Sequence, residues 1–571
     1  MSVLTSLLAA APGGPATPGA GSTTVSTFTA PQVEYRALMP MLVVFGAATI
    51  GILIEAFLPR SRRYWAQVAV SLAGVLVALG FVIANHGMAE TTAADAVSVD
   101  GVTLFLQGTI LALAVLALLL VAERGTAVVD LDAFTAQGAT APGSGGERAA
   151  DTAGLRTTEV FPLMMFSIGG MLLFPAANDL LTSFVALEVL SLPLYLLCGL
   201  ARRRRLLSQE AAMKYFLLGA FSSAFFLYGI AMLYGYSGSV RLNTTLVPPG
   251  ADGKPIPSIA TAVAAGTHSD VLLLVGVALL AVGLLFKVGA VPFHSWTPDV
   301  YQGAPTPITA FMAAATKVAA FGALLRIMYV ALPGIAWDWR PVLWGVAILT
   351  MLAGAILAIT QRDIKRMLAY SAILNAGYIL LGIVSTTTKG VSATLFYLAA
   401  YGFATIGAFA VVTLVRESVR SGSDSGDGGD DDSITIGGEA TDLSAWAGLG
   451  RRSPLLAACF TVFLLAFAGI PLTSGFTGKF ALFTAAIDGG AWPLVIVGVI
   501  ASAAAAFFYV RVIVLMYFSE PLREEGAGPV VVVPSPMTTI ALTVSVALTI
   551  ALGVVPQMAL DLADKAAYFV Q

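Results

Sequence analysis

Residues 271–286 read VLLLVGVALLAVGLLF, sixteen positions without a charge, and the next residue is Lys287. A run of this kind leaves few folds open. A membrane-spanning helix needs about 20 predominantly apolar residues, and the chain repeats the pattern along its length. Candidate spans lie at 37–58, 66–85, 102–122, 159–176, 179–200, 209–236, 270–291, 306–331, 341–359, 367–385, 391–416, 454–487, 493–518 and 537–560. Fourteen crossings result. The segment 159–176 is short and runs into Pro175 and Asn178. The segment 454–487 is too long for one straight helix, and Pro471, Gly475 and Gly478 predict a break in it. Composition excludes a soluble alternative: 58% of residues are hydrophobic and 11% charged, against roughly 25% charged in soluble domains.

Short loops rich in Arg and Lys mark the cytoplasmic side of a membrane protein. Arg60, Arg62 and Arg63 follow the first span, Arg202 to Arg205 the fifth, and Arg362, Lys365 and Arg366 the ninth, while Arg451 and Arg452 precede the twelfth. With fourteen spans all of these fall on one side, and both termini fall outside. An error of one span would scatter them. The expected plan is a flexible tail at 1–36, three spans at 37–122, a polar cytoplasmic insert at 123–158, helical units at 159–331 and 341–518, and a last span at 537–560. A second insert, 417–450, carries the run GSDSGDGGDDDS, which cannot build a core and predicts disorder.

The net charge of −3 says little about partners, and the distant Cys198 and Cys459 form no cluster. His86, His268 and His294 lack metal-ligand spacing. No metal, haem or iron–sulfur group is expected in this chain. No glycine-rich phosphate loop and no basic patch with interleaved aromatics occurs, so the bilayer is an expected partner and nucleic acid is not.

Ionisable residues inside spans are costly and mark ion paths by default. Lys287 precedes Pro292 by five positions, and a proline frees backbone carbonyls beside it. Broken helices of this kind line ion sites in transporters. His294, seven residues on, is either a proton relay or a cap on the broken helix. Lys317 lies eleven residues into the next span, and Lys479 follows the Pro471–Gly478 interruption. Thr473, Ser474 and Thr477 are candidate relays there. Glu188 sits near the middle of the fifth span with no basic residue one turn away on its own helix. Lys214, near the start of its helix, either works inside the membrane or snorkels to the interface. The recurrence of break and lysine predicts an internal repeat, spans 4–8 and 9–13, and an odd repeat length inverts the second copy.

Three stretches carry a resemblance: KVGAVPFHSWTPDVYQGAPTPITAFMAAATK (287–317), QRDIKRMLAYSAILNAGYILLG (361–382) and AGIPLTSGFTGKFALF (468–483). They resemble signatures of the Mrp-antiporter-like subunits of respiratory complex I, and within that family the subunit N branch of NADH–quinone oxidoreductase. The resemblance implies an all-α polytopic membrane protein of about fourteen helices, in two inverted five-helix repeats, with helices seven and twelve broken. It implies proton translocation in a bacterial plasma membrane through Glu188, Lys214, Lys287, His294, Lys317 and Lys479, with Glu188 and Lys214 paired. The chain would hold no cofactor of its own. FMN, iron–sulfur clusters, NADH and a quinone would be used by other subunits of the enzyme. Implied partners are the antiporter-like subunit M, the small subunits K and J, the lateral helix of subunit L and the peripheral redox arm. The alternatives are the matching subunit of an Mrp-type sodium–proton antiporter or the equivalent subunit of a membrane-bound hydrogenase. The inserts 123–158 and 417–450 depart from the family pattern and inherit no role from it.

Overall fold

Acidic and hydroxyl side chains set where several helices begin. Asp100 accepts from the Thr103 amide at 3.0 Å, Asp179 from Thr182 at 2.9 Å, Asp363 from Arg366 at 3.0 Å and Thr387 from Gly390 at 3.0 Å. Each satisfies an amide that a helix start leaves without an intrahelical partner, at about 1 kcal/mol per cap. These contacts come from a computed structural model that describes residues 33–124, 132–142, 144–153, 155–244, 257–266, 270–420, 434–520 and 529–570. Most of the expected N-terminal tail, His268 and the run at 422–433 lie outside the described residues.

The chain is an all-α membrane protein trimmed with short strands. The first helices are α1 (Tyr35–Phe57), α2 (Arg60–Ala84), α3 (Gly101–Val121), α4 (Val160–Leu173), α5 (Leu180–Cys198), α6 (Arg205–Ser237), α7 (Asp270–Val288) and α8 (Trp296–Gly303). Next come α9 (Thr306–Ala331), α10 (Ala336–Ile359), α11 (Ile364–Val384) and α12 (Thr388–Leu414). The last are α13 (Pro454–Ala468), α14 (Ser474–Asp488), α15 (Trp492–Phe518), α16 (Pro536–Val554) and a short α17 (Gln557–Ala566). Among the described residues, twelve helices are long and apolar enough to cross a bilayer, and two shorter apolar ones, Val160–Ala176 and Pro454–Ala468, make up the expected fourteen. The core is central: α9 is wholly buried and α11 and α12 nearly so, whereas α6 and α16 leave most of their surface facing outward.

Span seven is α7 plus α8 and span twelve is α13 plus α14. The breaks recur five spans apart, so the two broken helices run in opposite directions. Gly289 (φ +74°) and Gly469 (φ +81°) turn the chain out of helix in the left-handed region, which costs glycine almost nothing. Pro292 and Pro471 lie in the gaps. Gly475 and Gly478 do not: they sit inside α14. A side chain at Gly475 would run into the Ala466 backbone and one at Gly478 into the Tyr397 ring, so these glycines serve close helix contact.

Arg204 bonds Thr441 at 2.7 Å and Glu417 at 3.0 Å, Arg366 pairs with Asp299 at 2.7 Å, and Arg452 donates to the Pro529 carbonyl at 2.8 Å. Tyr64 reaches the Ala122 carbonyl, and neighbouring Glu123 holds Ser535. The basic loops therefore share one face. The expectation of disorder throughout 417–450 is corrected there. β3 (Val415–Arg420) pairs antiparallel with β4 (Ile434–Glu439), and β5 (Val530–Val531) adds to the free edge of β3. Residues 440–450 pack on the helices: Trp446 is fully buried, with its indole N–H on the Ala440 carbonyl at 2.9 Å, and Thr441 accepts from the Ile364 amide at 2.7 Å. The Gly/Asp run dominates the composition of this insert and masks its apolar anchors. The described part of 123–158 also docks on this face, where Glu147 pairs with the buried Arg205 at 2.9 Å. At the opposite face, β1 (Glu90–Thr92) and β2 (Val97–Val99) form a hairpin before α3.

Candidate functional site

Lys287 ends α7 in a buried aromatic nest. Its ammonium donates to Ser191 Oγ at 2.7 Å and to Tyr215 OH at 2.9 Å, with the Tyr215 and Tyr195 rings 5.1 and 5.9 Å away. Trp296 of α8 stacks on Tyr215 at 4.7 Å and anchors its indole N–H on the Phe286 carbonyl at 2.9 Å, which locks α8 against the end of α7. Ser191 is one helical turn from Glu188, whose carboxylate is within electrostatic reach of Lys287. One Glu188 oxygen is buried without a hydrogen bond.

The implied Glu188–Lys214 pair is not present. Lys214 is held by Asp299 of α8 at 2.8 Å and by Glu210 at 2.6 Å, and its side chain is 41% exposed. The reason lies in helical pitch. Successive residues diverge by about 100° around a helix, so Tyr215 takes the inward direction toward Lys287 and Lys214 turns toward α8 and the basic face. Asp299 also binds Arg366 at 2.7 Å, and Arg366 bonds Gln302 at 3.0 Å. His294 lies in the turn between α7 and α8, half-buried, with Nδ1 enclosed and without a partner.

Lys317 follows a π-helical turn, Met312–Thr316, in α9. Such turns free backbone groups from the regular ladder and recur at functional sites. The buried ammonium donates to the Ala372 carbonyl of α11 and lies 5.9 Å from the Tyr401 ring. Lys479 is held across the second break. Its Nζ donates to the carbonyls of Phe467 at 2.8 Å and Ala468 at 3.1 Å, and to Ser502 Oγ at 3.0 Å, under the Tyr378 ring at 4.6 Å. The two carbonyls belong to the C-terminal end of α13, where unpaired acceptors and the helix dipole both favour a cation. Leu472, in the same break, holds φ +71°, a conformation costing a non-glycine residue roughly 1–3 kcal/mol. Of the expected relays, Thr473 bonds the Ile470 carbonyl at 2.7 Å, and Ser474 Oγ has no partner. The hydroxyl bonded to Lys479 is that of Ser502 of α15.

A polar bridge on α11 lies between Lys317 and Lys479. Ser371 Oγ shares a hydrogen bond with Tyr509 OH at 2.5 Å, and Asn375 donates to the Ser371 carbonyl at 2.8 Å. Tyr397 OH donates to Asn375 Oδ1 at 2.6 Å. Tyr378, one turn beyond Asn375, has a buried hydroxyl near Ser502. The sequence analysis does not single out the bridge, yet its signal is there: Ser371, Asn375 and Tyr378 follow i, i+4, i+7 spacing along a helix that is mostly apolar beyond its first turn. No such pattern announces Asp299 or Ser502, which come from distant segments.

Residues 177–504 match the family described as NADH:quinone oxidoreductase/Mrp antiporter, TM. NADH-quinone oxidoreductase subunit N of Rhodococcus opacus (strain B4) is 60% identical over 562 residues, covering 95% of this chain and 98% of that protein. A chain of respiratory complex I from Thermus thermophilus superposes with a TM-score of 0.68 at 31% identity, covering 92% of this chain and all of that one. A chain of the Mrp complex from Dietzia sp. DQ12-45-1b superposes with a TM-score of 0.69 at 22% identity, covering 94% and 97%, a likeness of fold.

Proposed function

We infer, since the chain belongs to the NADH:quinone oxidoreductase/Mrp antiporter membrane family, that it is a proton-translocating membrane subunit of an NADH–quinone oxidoreductase, in the place its relatives hold as subunit N. The observation that carries the proton path is the bridge of Ser371, Asn375 and Tyr378 between the buried Lys317 and Lys479. The antiporter alternative shares the fold. The 60% identity along nearly the whole chain to a subunit N favours the oxidoreductase.

Electron transfer takes place in other subunits, and this one works by charge. Protons enter from the basic face, which we assign to the cytoplasm, with both termini outside. Lys287, Lys317 and Lys479 carry the proton in turn, and His294 passes it across the first break. Glu188 couples the path electrostatically to events beside the subunit, while the Asp299–Lys214 pair holds α8 to α6. A proton arriving at one lysine repels the next, so charge moves along the chain of sites. Moving one charge against 100 mV costs about 2.3 kcal/mol, comparable to one or two charged hydrogen bonds. FMN, iron–sulfur clusters, NADH and quinone belong to the peripheral redox arm and its junction. Subunits M, K, J and the lateral helix of L are the proposed membrane neighbours.

Purification of the tagged complex, followed by NADH–quinone turnover and proton uptake in vesicles, tests this. Lys317→Met is expected to abolish proton uptake in assembled complex. Wild-type uptake in that variant, or purification without flavin and iron–sulfur subunits, would overturn the reading.

A further inference from the structure

Arg511 interrupts an apolar stripe on the outer side of α15. Phe507, Val510, Val514 and Phe518 are exposed there, and Arg511 is exposed among them. At 3.6 residues per turn the five positions share one side of the helix. The 27 residues of α15 extend about 40 Å, close to the 40–45 Å of a bilayer with its headgroups. Arg511 lies seven residues before the basic-face end, about 10 Å down the helix and just beneath the headgroup layer. Its side chain rises to that layer: Nη1 donates to the carbonyl of Ile359, the last residue of α10, at 3.2 Å. That bond occupies one of five N–H donors and neutralises no charge.

Arg362, in the loop between α10 and α11, is also exposed, and its carbonyl accepts from the Leu443 amide at 2.7 Å. The two arginines line one groove of about 400 Å³ with Leu443, Ser444, Val514 and Leu515, a volume within the roughly 300–1,000 Å³ of small-molecule sites. Among the described residues, neither guanidinium has a carboxylate within ion-pair distance. The acids of this face are engaged elsewhere. Asp442, in the groove wall, holds the Ser444 amide and hydroxyl at 2.7 and 2.6 Å, and Asp363 holds the Arg366 amide and Gln302, both at 3.0 Å. Glu439 accepts from Thr306 at the mouth of α9, 3.6 Å from Lys365. Two like charges facing one mostly apolar groove repel each other unless an anion lies between them.

We propose that this groove binds one anionic phospholipid of the leaflet at the basic face, with its phosphate between Arg362 and Arg511 and an acyl chain along the Phe507–Val510–Val514 stripe. The planar fork of arginine matches phosphate oxygens bidentately, and basic pockets at the ends of membrane helices hold lipid headgroups. Ser444 and Ser519, both in the wall, supply hydroxyl donors for the remaining oxygens. A free phosphate would leave the apolar wall uncovered, whereas a lipid satisfies both halves of the groove. Snorkelling accounts for an arginine at the depth of Arg511, but not for a second exposed arginine across a groove from it. The lipid fastens the Leu443–Trp446 turn to the end of α15.

The test reconstitutes the assembled complex, with Val514 replaced by the photo-crosslinker p-benzoylphenylalanine, into vesicles of phosphatidylcholine with a minority of phosphatidylglycerol. The mass added to this chain on illumination is read. Phosphatidylglycerol adducts are expected to exceed their share of the bilayer by about 25-fold, roughly fivefold for each arginine. Arg362→Gln and Arg511→Gln are each expected to lower that preference about fivefold, and Arg511→Lys, which keeps the charge and loses the fork, by less. Wild-type adducts in the ratio of the bulk lipids would mean ordinary boundary lipid and overturn the proposal. Attachment to another protein chain in place of lipid would show that a neighbouring subunit covers the groove, and would overturn it as well. So would an unchanged preference in the double variant. If Arg511→Gln fails to assemble, Arg362→Gln decides, because that exposed side chain holds no helix in place, and wild-type preference in it refutes the two-arginine site. None of these readouts depends on proton uptake, so the lipid site and the proton-translocating reading fail separately.

Discussion

Ser502→Ala isolates one contact in the second broken helix. Lys479 Nζ has three acceptors, the Phe467 and Ala468 carbonyls at 2.8 and 3.1 Å and Ser502 Oγ at 3.0 Å. A hydrogen bond to a charged group contributes about 1.5–3 kcal/mol. The two carbonyls stay in place, so the loss falls in the lower part of that range, about 1.5–2 kcal/mol. At about 1.4 kcal/mol per decade of rate, a step that must form the ammonium slows roughly ten- to thirty-fold. The assay is initial proton uptake in vesicles at matched complex content, together with NADH–quinone turnover. Thr461→Val is the control, because that hydroxyl returns to the Ala457 carbonyl of its own helix at 2.8 Å and leaves uptake unchanged. If assembled Ser502→Ala pumps within about twofold of wild type, the ammonium of Lys479 is not formed in the limiting path.

Two further outcomes concern what holds the site. Arg326 and Asp100, 1% and 0% exposed, pair at 2.8 Å, and Asp100 also caps α3; Asp100→Ala is expected to cost about 4–6 kcal/mol, the sum of a broken buried pair and a lost cap. Thermal unfolding of the detergent-purified complex checks it, and a loss under about 1 kcal/mol would show that Arg326 finds another partner. Gly475→Val is expected to push α14 off α13 and pull Lys479 from its carbonyls, lowering proton uptake in whatever complex assembles. Gly46→Ala, with nothing within 4 Å of the added atom, is expected to be silent, and equal uptake in the two would refute the close-contact role of Gly475.

Much of the site was legible in the sequence because a charge in an apolar run stands out. Lys287, Lys317 and Lys479 are buried where the runs put them, and both breaks fall at their prolines, while the expected break glycines Gly475 and Gly478 lie inside α14. Lys214 shows where that legibility ends. Its place on α6 is evident from the sequence, but its partner depends on which way residue 214 faces and on where α8 lies, so Asp299 replaced Glu188. Hydroxyls such as Ser502 and Ser191 gave no warning, since serine is unremarkable in a membrane helix until a lysine from another segment meets it.

The sequence by itself determined the solvent, the number of crossings, the shared side of the basic loops and the burial of the three lysines. These follow from local quantities: the cost of burying charge, the length of apolar runs and the conformational reach of glycine and proline. Only the tertiary structure decided which acceptor each ammonium finds, that Ser371, Asn375 and Tyr378 bridge two lysines, and that an acidic insert returns Glu439 to the mouth of α9. Those facts depend on contacts between residues tens to hundreds of positions apart, where direction and distance are set by helix packing and no local pattern records them.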